Sequence, residues 1–92
     1  MEEYNHNMKL ILSRQLAFES YQDDTGNNID LLDKAYEDLA QFRKEKDKFS
    51  DSEKLRLSKE ILEKFDNVLD IIGRENFIFY DDGDINYIWK NC

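Results

Sequence analysis

Three carboxylates crowd one four-residue stretch, Asp81-Asp82-Gly83-Asp84, near the end of a 92-residue chain. Oxygen ligands at that density invite a metal. A calcium loop, however, spaces its ligands alternately, places glycine at the sixth position and closes with a distal bidentate Glu. Here the acids are bunched, and the residues after them, Ile85 to Trp89, read as strand. Paired acids at a hairpin tip also suit two-metal nucleotidyl transfer, but no third acid stands in the required context. His6 is the only histidine and has no Cys or His at ligand spacing, so no zinc site is expected. A Ser–His or Cys–His nucleophile would have to recruit that same His6 from a fraying terminus. Gly26, Gly73 and Gly83 stand singly, so no glycine-rich phosphate loop exists. These exclusions point away from an enzyme, with no metal and no cofactor.

What remains is the distribution of charge. Thirteen bases against twenty-one acids leave a formal charge of −8. Residues 1–18 are neutral, residues 19–38 carry seven acids and one base, residues 39–65 eight bases and six acids, and residues 66–92 six acids and two bases. The excess therefore sits in two blocks. In the first, Asp30, Asp33 and Glu37 step by three and four, which places them on one side of a helix. In the second, Glu63, Asp66 and Asp70 do the same, with Asp66 and Asp70 flanking the apolar face. Helical neighbours at these steps lie ~5–6 Å apart at Cβ, comparable with the ~3.4 Å axial rise between phosphates of one DNA strand. Glu19, Asp23, Asp24, Asp81, Asp82 and Asp84 extend the pattern. Like charges so placed cost a helix a few tenths of a kcal/mol per pair; a purely structural helix interleaves Lys, as residues 43–48 do. The acids thus read as an anionic surface presented to a DNA-binding protein, or as a solubilising face. The same charge opposes direct nucleic-acid binding and docking on an anionic membrane; the expected partner is basic.

Four elements must position these groups. The first helix is expected over about residues 3–21, where Tyr4, Met8, Ile11, Leu12, Leu16 and Phe18 recur at helical steps; the run Lys9 to Leu12 also fits a strand. It stops at the turn formers 22–27. The second helix is expected over about 28–48, with Asn27 as N-cap and the stripe Ile29, Leu32, Tyr36, Leu39, Phe42. The third runs about 51–72. Ser50 and Glu53 form a capping box at its start, Leu55, Leu62 and Leu69 repeat every seven residues, and Gly73 supplies the stop.

The fourth element is expected to be a β-hairpin over about 76–90. Asp82-Gly83 between runs rich in aromatic and β-branched residues is the signal for a two-residue type I′ turn. That register puts Ile78, Tyr80, Ile85, Tyr87 and Trp89 on one face and Phe77, Phe79 and Ile88 on the other. An isolated hairpin is marginal in water. Either a second copy or a partner covers the second face, with Phe77, Phe79 and Ile88 from that face and Trp89 from the other as the expected interface residues, or one small domain encloses both. The expected fold is α+β: one domain over 1–92, three helices followed by a C-terminal β-hairpin, and dimeric.

Composition bounds the rest. With 40% apolar residues, six Phe, five Tyr and one Trp, the chain can cover a core, and the absence of proline favours long helices. A single cysteine, Cys92, makes no internal disulfide and fits a reducing compartment. The opening Met1-Glu2-Glu3 lacks a basic n-region, and no apolar run approaches a membrane span. A cytoplasmic location is expected.

In size, acidity and its Asn-, Asp-, Ile- and Lys-rich style, as in Asn27-Asn28-Ile29-Asp30 and Asp84-Ile85-Asn86-Tyr87, the chain resembles the anti-restriction nuclease protein family of T-even phages. The resemblance implies a DNA mimic, acting as a homodimer in the host cytoplasm and blocking the modified-cytosine-specific restriction enzyme McrBC, with nucleoid proteins as further targets. The mixed-charge segment from Arg43 to Lys64 departs from a uniformly acidic mimic. The first functional expectation is therefore a non-catalytic inhibitor of a basic DNA-binding protein, either a restriction enzyme subunit or a nucleoid protein. The alternative is a small helical adaptor, an inhibitor of transcription or toxin proteins that binds through an apolar surface.

Overall fold

The structure, a computed structural model, describes residues 2–21 and 28–91. It contains four α-helices: α1 (Glu2–Ser20), α2 (Ile29–Glu45), α3 (Asp51–Ile72) and α4 (Asp82–Lys90). Short 3-10 turns at Lys46–Lys48 and Arg74–Asn76 close α2 and follow α3. The expected N-cap Asn27, the acids Asp23 and Asp24, and Cys92 lie outside the described residues.

Helix α3 is the central element and packs against both α1 and α2, while α4 lies against α1. Its start and stop are chemically explicit. The Ser50 hydroxyl accepts from the Glu53 backbone N–H at 3.3 Å and donates to Glu53 Oε1 at 3.0 Å, which satisfies a backbone donor that the first turn leaves without a helical partner. At the other end Gly73 takes φ 104°, in the region that disfavours a Cβ, and its N–H caps Leu69 C=O at 2.8 Å. Between them Ile61, Phe65, Val68 and Leu69 are buried. They meet Met8, Ile11, Ala17 and Phe18 from α1, and Leu32, Ala35, Leu39 and Phe42 from α2.

Phe18 ties these layers together. Its ring centre lies 5.1 Å from Phe65, 5.9 Å from Phe77 and 6.0 Å from Tyr36, so one side chain touches α3, the segment after it and α2. Burying a phenyl ring this completely contributes about 1.5–3 kcal/mol. Two buried polar side chains, Asn7 of α1 and Ser58 of α3, are paired across the interface. Asn7 Nδ2 donates to Ser58 Oγ at 3.2 Å, and Ser58 donates to Leu55 C=O at 2.7 Å.

The C-terminal β-hairpin and the α+β class expected from the sequence are overturned: among the described residues there is no strand, and the fold is all-helical. Asp81-Asp82-Gly83-Asp84 begins a helix. Asp81 holds an extended backbone (φ −76°, ψ 169°), and its Oδ1 accepts the Asp84 N–H at 2.8 Å, the geometry of an N-cap. Asp82 and Asp84 then occupy the first turn, where the helix dipole favours anions. Gly83 does not take the positive φ that a type I′ turn demands. Downstream, burial follows the helical period. Ile85 is buried and Ile88 and Trp89 are half-buried, whereas Tyr87, which alternation assigns to the face of Ile85 and Trp89 and opposite Ile88, is 71% exposed. Upstream, Phe77 enters the core and Ile78 is held by Ser20 of α1, whose Oγ accepts its N–H at 2.9 Å.

Candidate anionic surface

The apolar stripe of α2 fixes where its acids point. Leu32, Ala35, Leu39 and Phe42 turn inward, so Asp30, Asp33 and Glu37 project outward and are exposed. Among the described residues none of the three lies within ion-pair distance of a base. Glu19, the penultimate residue of α1, is also exposed and unpaired. The edge-on contact of Phe18 with Tyr36 brings these helices together at this level. The phenol of Tyr36 registers the result. Burial pushes its pKa up, and the charges of Glu19 and Asp33 push it further in the same direction. Glu19 and Asp33 therefore act on one point from two helices. Asp38, one residue beyond Glu37, behaves differently and meets Lys64 of α3 at 3.4 Å.

The second acidic block is exposed except at Asp66, and two of its acids are paired with arginines. Asp66 is half-buried and bridges two arginines, Arg14 Nε at 3.1 Å and Arg74 at 3.6 Å. Asp70 accepts from Arg74 Nε at 2.8 Å. That bond is the main cause raising the Arg74 guanidinium pKa above its ordinary value, partly opposed by desolvation and further aided by the charges of Asp70 and Asp66. Asp66 and Asp70, expected as phosphate stand-ins, are thus neutralised within the chain. Glu63, on the same ladder, is exposed. Asp81, Asp82 and Asp84 are exposed, but Asp81 is occupied as a cap.

The expected interface residues are dispersed. Phe77 is core, at 7% exposure, with ring contacts to Phe18 and Tyr21. Ile88 and Trp89 are half-buried, and Trp89 packs on the core. Phe79 alone of the four is exposed, within a run Ile78-Phe79-Tyr80 that is exposed throughout. Sequence reasoning did not find Arg14, which lies 52 residues from Asp66, nor Ser20 as the anchor of Ile78. Arg74, four residues after Asp70, carried a local signal at helical spacing.

Among the described residues no three His, Cys, Asp or Glu are grouped to hold a metal ion, and no helix is long and apolar enough to cross a membrane. Comparison with protein-family models, with curated proteins and with solved structures gives no match.

Proposed function

We propose that this chain is a non-catalytic DNA mimic whose Glu19, Asp30, Asp33 and Glu37 stand in for phosphates on the basic surface of a DNA-binding protein. The observation that supports this reading is that these four carboxylates, on helices joined by the Phe18–Tyr36 contact, are exposed and have no ion-pair partner among the described residues. A basic groove gains long-range attraction from such a face and pays little desolvation at its rim, so the charges act chiefly on association rate and partner choice. The target class is a restriction enzyme subunit or a nucleoid protein; the specific proposal of McrBC rests on the phage-family resemblance alone.

The test is cleavage of modified-cytosine DNA by McrBC with the chain added in increasing amounts. Inhibition that is relieved by extra duplex DNA, and lost in a Glu19→Gln, Asp30→Asn, Asp33→Asn, Glu37→Gln variant that still folds, is the expected result. Cleavage unaffected by the wild-type chain removes McrBC as the target. Inhibition retained in the quadruple variant removes the mimic.

A second reading rests on Ile78, Phe79 and Tyr80, which are 69%, 42% and 46% exposed in succession. Contiguous exposed apolar groups mark contact sites, and an adaptor binding there responds to Phe79→Ser and little to salt.

A further inference from the structure

Ser13 is 8% exposed in the middle of α1. Side chains buried to this degree are normally hydrogen-bonded. Neighbouring serines on the helices follow the rule, with Ser20 bonded to Ala17 C=O and Ser58 to Leu55 C=O. Ser13 makes no such bond within the chain. No sealed side-chain nitrogen or oxygen among the described residues lacks a partner, so the Ser13 hydroxyl must reach open space. That space is a crevice of about 230 Å³ between α1 and α4.

The crevice is lined by His6, Lys9, Ser13 and Arg14 from α1, and by Asp82 and Asn86 from α4. It exists because Ile85 seats α4 on α1 and leaves the flanking polar residues facing each other. Its charge runs against that of the molecule. In a chain of net charge −8, the lining carries two cations, Lys9 and Arg14, against one anion, Asp82, with Arg14 already paired through one nitrogen to Asp66. Lys9 and His6 have no anionic partner among the described residues, and Arg14 spends only its Nε on Asp66. A lysine ammonium, further guanidinium N–H groups, a hydroxyl and a side-chain amide make a donor set suited to an oxyanion. Size limits the ligand. At roughly 30 Å³ per water the crevice holds about seven or eight waters, below the ~300–1,000 Å³ of pockets for drug-sized ligands.

We propose that the α1–α4 crevice is a binding site for a small oxyanion, a phosphate or carboxylate group, held by Lys9, Ser13, Arg14 and Asn86. Asp82 stands on the opposing helix as the one repulsive charge and limits affinity. The site does not depend on the acidic edge of α2.

The experiment titrates the full-length chain with inorganic phosphate and, in parallel, with acetate, following amide chemical shifts at low ionic strength. Saturable shifts confined to residues 6–14 and 82–86 are expected, and the tighter of the two ions identifies the group. Lys9→Gln is expected to weaken binding by about tenfold, the scale of one charge-assisted hydrogen bond, and Ser13→Ala by a factor of about five. Asp82→Asn should tighten it, a gain that a merely structural Asp82 would not give. Circular dichroism confirms that each variant folds. Absence of saturation in both the wild-type chain and Asp82→Asn overturns the site. So does an affinity indifferent to Lys9→Gln and Ser13→Ala, which marks diffuse attraction to surface cations.

Discussion

Helices α2 and α3 carry acids at the same helical steps, yet those acids end in opposite states. Asp30, Asp33 and Glu37 face solvent with no base within ion-pair distance among the described residues, whereas Asp66 and Asp70 are held by Arg14 and Arg74. Spacing along a helix decides which side chains share a face. It does not decide what stands opposite. Asp66 flanks the face that packs on α1, and α1 supplies Arg14 there. Asp30, Asp33 and Glu37 sit opposite their apolar stripe, whereas Asp38 of the same helix turns toward α3 and finds Lys64 at 3.4 Å. A charge becomes available to a partner only where the fold places nothing across from it.

The contrast can be broken first through stability. Asp66→Ala leaves Arg14, whose side chain is 23% exposed, without its carboxylate. A charged hydrogen bond is worth ~1.5–3 kcal/mol, and partial exposure reduces it, so a loss of about 1–2 kcal/mol in urea unfolding is expected. Asp33→Ala removes repulsion from Asp30 and Glu37, and stability should stay level or rise by a few tenths of a kcal/mol. Equal losses at both positions would erase the distinction between the ladders.

Next in size is a pair of glycines that bracket the turn from α3 to α4. Gly73→Ala forces a Cβ onto a φ of 104°, 2.6 Å from Glu75 Oε1; the side chain of Glu75 can move but the backbone strain stays, and about 1–2 kcal/mol should be lost. Gly83→Ala adds a better helix former in the first turn of α4. The new Cβ meets Asp81 Oδ1 at 3.3 Å, which trims the gain, so the change is expected to be neutral or stabilising by less than about 1 kcal/mol. A hairpin would respond with a clear loss at Gly83, because its turn requires positive φ there.

The smallest effect reads the field itself. The Tyr36 phenol is raised by burial first, then by Glu19 and Asp33. Because the folded state holds this proton more tightly than the unfolded chain, its contribution to stability is complete below the ordinary value of 10.0 and is lost as pH rises through the folded value. Ultraviolet titration of tyrosinate should show the Tyr36 midpoint falling in a Glu19→Gln, Asp33→Asn variant, while Asp70→Asn leaves it in place. A midpoint unmoved by the first variant would place those acids too far from Tyr36 to form one edge.

Legibility followed the range of the interactions. Ser50 and Glu53 announced the start of α3, and Gly73 its end, because caps are closed by residues within one turn of each other. The same short-range chemistry opens α4 at Asp81 and Asp84, but there the sequence supports two local solutions. Asp-Gly between aromatic runs is also the strongest hairpin signal, and Ile85, Tyr87 and Trp89 alternate as cleanly as Ile85, Ile88 and Trp89 follow a helix. Tertiary contacts decide between them. Ser20 captures Ile78 across 58 residues, and Phe77 fills the space beside Phe18, so Phe77 to Tyr80 have no strand to pair with. No spacing rule exposes such contacts, nor the Arg14–Asp66 pair. On the candidate surface, the outward direction of Asp30, Asp33 and Glu37 was readable from the stripe beneath them; the neutralisation of Asp66 was not.

The most direct measurement of the central claim is the salt dependence of affinity for a purified nucleoid protein, taken for three chains: wild type, the quadruple variant at Glu19, Asp30, Asp33 and Glu37, and Asp70→Asn. If the free charge lies on the α1–α2 edge, the quadruple variant loses both affinity at low salt and most of the slope of log affinity against log salt, while Asp70→Asn retains both. Equal slopes for the wild type and the quadruple variant would contradict the account.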